Sequence, residues 1–130
     1  MAVNDIIKAM EAHLERVNKA ILFVGEVTGE RFVRNARGTK TYSDVTANLR
    51  NSIGYQAASE SGKTESFGAG EGGQEGKSKA DSLNLESGLI MMAGMDYAAA
   101  VESKGFDVIS NSVNESKKYY EQQIEKALKV

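Results

Sequence analysis

Several features are missing from this sequence, and each absence narrows what the chain can do. The 130 residues include no cysteine and a single histidine. Disulfides and thiolate metal sites are therefore excluded, and one histidine argues against a zinc site. The lack of cysteine fits a reducing cytoplasm. We accordingly expect no cofactor and no bound metal.

Membrane and export signals are also missing. No apolar run approaches the roughly 18 residues that a membrane span requires, and the N-terminus lacks the basic region and apolar block of a signal peptide. The charge is weak, with a net charge of -2 and a pI near 5.5. Without a basic stripe, a general phosphate-binding surface is not expected. We expect no membrane partner and no sequence-specific DNA binding.

The chain has the length of a single domain and enough apolar residues for a small hydrophobic core. Hydrophobic residues make up 41% of the sequence, and the length fits a single domain spanning residues 1–130. The N-terminal part has the periodicity of one long amphipathic helix over residues 5–36, with Asn4 as its cap and Gly38 as its stop. Its stripe, at spacings of three and four, comprises Ile6, Met10, Leu14, Val17, Ile21, Val24, Thr28 and Phe32.

This predicted helix is too long for its own domain to cover. About 32 residues at 1.5 Å each make a rod of about 48 Å, whereas a domain of this size is about 36 Å across. Either the helix breaks at Gly25 and Gly29, or part of its stripe packs on another subunit. The same two glycines would alternatively allow a neighbouring helix to approach closely. The candidate interface residues are Ile6, Met10, Leu14 and Val17.

The middle of the chain predicts a small antiparallel sheet. A short helix leads through Leu49 to Ile53, capped by Asp44 or Thr46. Alternation over 53–58 and 64–67 predicts a β-hairpin. The glycine-rich stretch that follows, residues 69–81, cannot bury enough apolar surface and is predicted to be a flexible loop.

The C-terminal half completes an α+β order. Even spacing of apolar residues over 83–95 indicates one bent strand or two short ones, with a bulge at Gly88. A short helix over 97–103 and a strand over 106–109 follow. The last helix begins at a capping box headed by Ser112. The sequence therefore predicts an α+β fold with a long N-terminal helix, a small antiparallel sheet and a C-terminal helix packed on the sheet.

One catalytic motif is tempting and is rejected. Residues 57–64, AASESGKT, fit the relaxed nucleotide-loop pattern [AG]-x4-G-K-[ST]. A phosphate cradle needs the Lys-Thr pair to open a helix whose amides face the phosphate. The residues after Thr64 cannot sustain a helix, and Ala57 stands where the strict motif has glycine. We read Gly62-Lys63 as a hairpin turn and expect no enzyme.

Other polar and aromatic residues have structural explanations. His13 lies beside the apolar stripe and is expected at the surface or in an interface. Glu102 has no partner carboxylate at a spacing suited to acid–base work, so a structural hydrogen bond or salt bridge is expected. Tyr119-Tyr120 presents one ring to the buried face and one to solvent or a neighbour.

Two segments resemble the paired signatures of a phage family, the head–tail joining (tail-completion, or neck) proteins of long-tailed bacteriophages. The family pattern runs T-G-x-L-R-x-S-I, then a variable β region, then Y-A-x-x-V-E-x-G before a C-terminal helix. The first signature is matched by Thr46, Leu49, Arg50, Ser52 and Ile53. The second is matched by Tyr97, Ala98, Val101, Glu102 and Gly105.

The match departs from the pattern at three places. Ala47 stands where the first signature has glycine, and one extra residue precedes Gly105. A proline-bearing P-F-x-x-P-A-like entry to the last helix is absent, and residues 106–110 read FDVIS instead. The local geometry there is expected to differ from that of the family.

The resemblance implies a structural protein that forms a ring in the virion neck. Its partners would be further copies of itself, the phage portal or adaptor, and tail proteins. DNA would pass the lumen without sequence-specific binding, which suits a mildly acidic chain. The implied location is the virion, after assembly in the bacterial host cytoplasm. The alternative is a small cellular homo-oligomeric interaction module that uses the long N-terminal helix.

Overall fold

The computed structural model describes residues 2–38, 48–94 and 109–128, and it confirms the α+β class. Its elements in chain order are α1 (Val3–Arg37), α2 (Asn48–Asn51), β1 (Ile53–Ser59), β2 (Gly62–Ser66), α3 (Gly70–Ser82), β3 (Gly88–Ala93) and α4 (Ser110–Leu128). Among the described helices, none combines the length and apolar character needed to cross a membrane.

α1 is a single unbroken helix of 35 residues. Of the alternatives that the sequence left open, a break at Gly25 and Gly29 is therefore excluded. Both glycines are buried and face β1. A Cβ on Gly25 would lie 2.8 Å from that of Ala57, and a Cβ on Gly29 would overlap the ring of Tyr55. The glycines do permit a close approach, but the neighbour is a strand and not a helix.

The sheet has three antiparallel strands in the order β2-β1-β3. Ala57 at the centre pairs with Thr64 on one side and with Leu89 on the other. The predicted hairpin is confirmed, but its two-residue loop is Glu60-Ser61. Gly62-Lys63, which the sequence indicated as the turn, lies in β2 instead. Gly62 opens β2 with a φ of +149, which suits glycine. β3 begins at Gly88, so the predicted strand over 83–95 is shorter and residues 83–87 lie outside it.

Every residue of β1 is buried, because helices cover both faces of the sheet. α1 packs on the face of Tyr55 and Ala57, and α3 packs on the face of Gly54 and Gln56. On the α1 side lies the hydrophobic core, which comprises Phe32, Val33, Ala36, Leu49, Ile53, Tyr55 and Ala57.

α3 overturns the prediction of a flexible loop over 69–81. The segment forms a helix of 13 residues whose buried positions are Gly72, Gly73, Gly76 and Ala80. A Cβ on Gly76 would lie 2.5 Å from the Ser52 carbonyl oxygen and 2.8 Å from the Phe67 ring. Glycine weakens an isolated helix, but here it lets the helix backbone approach the sheet. Tertiary packing therefore overrides local propensity.

The start of α4 and the surface on which it packs both differ from the prediction. It begins at Ser110, two residues before the predicted cap Ser112, and it packs chiefly along α1 rather than on the sheet. Arg31 of α1 forms an ion pair of 3.1 Å with Glu115, and its guanidinium lies 4.7 Å from the centroid of the Tyr119 ring. The predicted short helix over 97–103 and, apart from Ile109, the strand over 106–109 lie outside the described residues.

Candidate functional site

The N-terminal part of α1 is an exposed helical extension, which we call the arm and define as residues 2–16. Every residue of the arm is exposed. Three of the four predicted interface residues belong to it: Ile6, Met10 and Leu14 are 46%, 60% and 57% exposed. The fourth, Val17, is half-buried where the arm joins the domain. The apolar stripe thus continues beyond the part of α1 that the rest of the domain covers.

The apolar side of the arm forms one open surface. Its residues are Ile6, Ala9, Met10, His13 and Leu14, all from the arm itself. His13 is exposed on this side of the arm, as expected for a residue at the surface or in an interface. No other described element provides a wall, so the surface is suited to a packing partner and not to an enclosed small molecule.

The other sides of the arm carry mixed charges. Asp5, Glu11 and Glu15 are interspersed with Lys8 and Arg16. A surface without an excess of one sign does not select phosphates or anionic lipids. The recognition that this arm offers is therefore apolar.

The β1–β2 hairpin holds α1 at the point where the arm begins. The Ser59 hydroxyl donates a hydrogen bond of 2.7 Å to the backbone oxygen of Asn18. The turn residues Glu60 and Ser61 lie beside Leu14 and Asn18. This contact places the border between the covered and uncovered parts of α1 close to residue 17.

The first predicted signature forms a buried corner between α2 and β1. Leu49, Ser52 and Ile53 are fully buried, and Arg50 is half-buried. The Ser52 hydroxyl donates to the Leu49 carbonyl at 2.7 Å. Arg37 donates to the Ile53 carbonyl at 2.8 Å, and burial lowers the pKa of its guanidinium. The signature residues described here thus support the fold.

The second signature is not described, because Tyr97, Ala98, Val101, Glu102 and Gly105 lie outside the described residues. Thr46 of the first signature lies outside them as well. Gly94, which comes just before this segment, is in contact with the corner, and its N–H donates to the Ser52 carbonyl at 3.2 Å. The backbone of Gly94 also touches that of Gly76.

A polar cluster ties α3 to the hairpin, and we call it the latch: Gln56, Glu65, Lys77 and Asp81. The buried Gln56 amide donates to Glu65 at 2.8 Å and to Asp81 at 2.6 Å. Lys77 forms ion pairs of 3.0 Å with Glu65 and 3.2 Å with Asp81. These bonds lower the pKa of Asp81 and raise the pKa of Lys77.

Sequence reasoning missed the latch, because it treated residues 69–81 as a loop. Gln56 and Asp81 are 25 positions apart, and only the helix at 70–82 brings them together. The spacing of Lys77 and Asp81, which suits a helical ion pair, was the one available signal. Across the described ranges, no group of three or more His, Asp or Glu side chains is arranged to hold a metal ion.

On the α1 side, one buried tyrosine is anchored by a carboxylate. The Tyr55 hydroxyl donates a hydrogen bond of 2.8 Å to Glu30. Burial, reinforced by that bond, raises the pKa of Tyr55. The ring fills the space that Gly29 leaves open, and the hydroxyl reaches the exposed edge of α1.

The nucleotide-loop residues do not form a phosphate cradle. Lys63 and Thr64 lie in β2 and pair with β1, so they do not open a helix. A second pattern was overlooked in the sequence: Gly68, Gly70 and Gly73 match G-x-G-x-x-G between β2 and α3. A Cβ on Gly73 would overlap the Gly68 carbonyl. Gly68 and Gly73 therefore have a packing role, whereas Gly70 adopts a φ of +67 that favours glycine. The pattern alone is a weak signal.

Comparison of the chain with protein-family models, with curated proteins and with solved structures found no match in any of the three.

Proposed function

We propose that this chain is a structural protein of a bacteriophage virion, a head–tail joining or tail-completion adaptor that assembles into a ring between the head and the tail. The observation that carries the proposal is the arm. It extends an apolar stripe beyond the domain, and exposed apolar patches of this kind mark interaction surfaces. The assignment to a phage rests on the two segments that resemble the family signatures, which occur in the same order along the chain as in the family pattern.

The proposal gives the arm a defined role. In the ring, Ile6, Met10 and Leu14 are buried against a neighbouring copy or another neck protein. Burying an exposed Leu or Met side chain contributes about 1.5–3 kcal/mol. Several such side chains on one face supply a contact without requiring charge complementarity, which fits the mixed charges of the arm.

The experiment compares two variants of the full chain that change the net charge equally. Met10→Glu with Leu14→Glu places two carboxylates on the apolar face. Lys8→Glu changes the charge by the same amount, and at about 100° per residue it lies about 160° around the helix from Met10. Sedimentation velocity and electron microscopy report self-association, and thermal melting reports the fold.

We expect the wild type and Lys8→Glu to form ring-sized species at high concentration. The double-glutamate variant should stay monomeric, with a melting temperature within a few degrees of the wild type. Global unfolding of that variant alone would show that the arm belongs to the core of its own subunit. A wild-type chain that stays monomeric at all concentrations, or stops at a dimer, would contradict the ring. The dimer would instead favour a small cellular homo-oligomeric module.

The genomic context provides an independent test of the phage assignment. Portal, capsid and tail-tube genes beside this reading frame would support a neck protein. A setting of cellular genes, together with a dimer in solution, would favour the alternative.

A further inference from the structure

The third helix of the fold, α3, has an unusual composition for a helix that packs on a sheet. Four of its 13 residues are glycine, and no buried residue on it is larger than Ala80. Each internal glycine disfavours the helix by up to about 1 kcal/mol relative to alanine. A helix of this length is marginal in water even with good helix formers. α3 therefore depends on its contacts with the rest of the domain.

The contacts that hold α3 are close but small. Gly76 touches the Ser52 carbonyl, the Phe67 ring and the backbone of Gly94. These contacts of Gly76 are with backbone atoms and one ring edge, and the other buried residues of α3 are Gly72, Gly73 and Ala80. Side chains this small remove little apolar area from water. By contrast, α1 buries Phe32 and Val33 in the core. Hydrophobic stabilisation scales with buried apolar area, so the attachment of α3 is much weaker than that of α1.

The latch is a further attachment of α3, and its contribution to stability is small. Lys77 and Asp81 are about half exposed, with 53% and 46% of their side-chain surfaces accessible, and Glu65 is 31% accessible. Ion pairs that are exposed to this extent contribute little. On the buried side, the side-chain amide oxygen Oε1 of Gln56 has no hydrogen-bond partner within the described chain. A buried acceptor left unpaired disfavours the closed arrangement, whereas opening would let water reach it.

We propose that α3 is a conformational switch. In the open state, α3 detaches as a unit from the face of the sheet that carries Gly54 and Gln56, while α1 and the sheet remain folded. In the closed state, the latch holds α3 on that face. Local opening of weakly packed units is a general property of folded proteins. Opening exposes the buried Gln56 and frees the Phe67 ring, which lies between Gly54 and Gly76 in the closed state. This inference does not depend on the proposed virion function.

The test is native-state hydrogen exchange on the full chain, at low concentration, in increasing subdenaturing urea. We expect amides of α3 to exchange at least about 100-fold faster than those of β1 and of α1 from residue 22 onward. Their opening should also depend weakly on urea, because little surface is exposed.

Three variants separate the switch from general instability. Lys77→Ala removes the latch cation and should speed exchange in α3 about two- to fivefold, the range of exposed ion pairs. Lys118→Ala removes a charge from exposed α4 and should leave α3 unchanged. Ser78→Ala raises helix propensity at an exposed position of α3 and should slow its opening by about twofold.

The proposal is overturned if α3 and β1 exchange at one common rate with the same urea dependence, since α3 would then open only by global unfolding. It is equally overturned if α3 amides show no protection, because no closed state would exist. Lys77→Ala speeding exchange across the whole domain would also contradict it.

Discussion

The two halves of α1 have the same apolar periodicity but opposite surroundings. From residue 17 onward the stripe is covered by the sheet and by α4, and Phe32 and Ala36 are fully buried. In the arm the stripe continues without a change in spacing, and every residue is exposed. The comparison shows that periodicity identifies a face that requires a neighbour. It does not reveal whether that neighbour belongs to the same chain.

The largest expected difference between the two halves comes from truncating one large apolar residue in each. Phe32→Ala should lower the free energy of unfolding by about 3–5 kcal/mol, because it leaves a cavity in the core. Leu14→Ala should change it by less than about 0.5 kcal/mol, as for other surface positions. Urea unfolding at low protein concentration measures both. Similar losses for the two variants would mean that the arm packs on its own domain.

The long helix and the hairpin could be predicted from the sequence because their signals are local. A stripe at spacings of three and four indicates a helix, and alternation around a short polar turn indicates a hairpin. The exposure of Ile6, Met10 and Leu14 also followed from the sequence, since a rod of this length exceeds the size of the domain.

The remaining features depend on contacts between distant segments. α3 was missed because glycine has low helix propensity, and the surfaces that its glycines meet, at Ser52, Phe67 and Gly94, lie elsewhere in the chain. The latch follows from α3 and was missed with it. The packing of α4 along α1 was missed for a related reason: an amphipathic face fits a helix or a sheet equally well.

The next largest effect should come from the glycines that allow α1 to meet the sheet. Gly29→Ala places a methyl group within the ring of Tyr55, and overpacking of this kind costs about 1–3 kcal/mol. The loss should exceed the gain in helix propensity of up to about 1 kcal/mol. In a double-mutant cycle the cost should largely disappear when Tyr55 is first changed to Ala. An undiminished cost would place the clash elsewhere.

A smaller effect is expected at the border between the two halves. Ser59→Ala removes the hydrogen bond to the Asn18 backbone oxygen and also the acceptor of the Ser61 backbone N–H, and it should cost about 1 kcal/mol. Hydrogen exchange should accelerate between residues 14 and 18 while residues 28–36 are unaffected. Ser61→Ala, at the exposed turn, is the control and should leave the exchange unchanged. If both variants behave alike, the border of the arm is not set by this bond.

The smallest effect is expected at Lys63, on the strand whose turn lies beside the start of the arm. Its side chain is exposed and its backbone pairs with Ala58. Lys63→Ala should therefore change the free energy of unfolding by less than about 0.5 kcal/mol, and self-association through the arm should be preserved.

The nucleotide-loop motif instead predicts that Lys63 is required for ATP binding, because the lysine of that motif contacts the phosphates from the start of a helix. Calorimetry with ATP decides between the two. Micromolar binding by the wild type that is lost in Lys63→Ala but kept in Lys118→Ala would mean that the hairpin rearranges to bind phosphate. We expect no heat of ATP binding in any of the three chains. Lys63 is held in a β-ladder, so it has no helix amides beside it to complete a phosphate site.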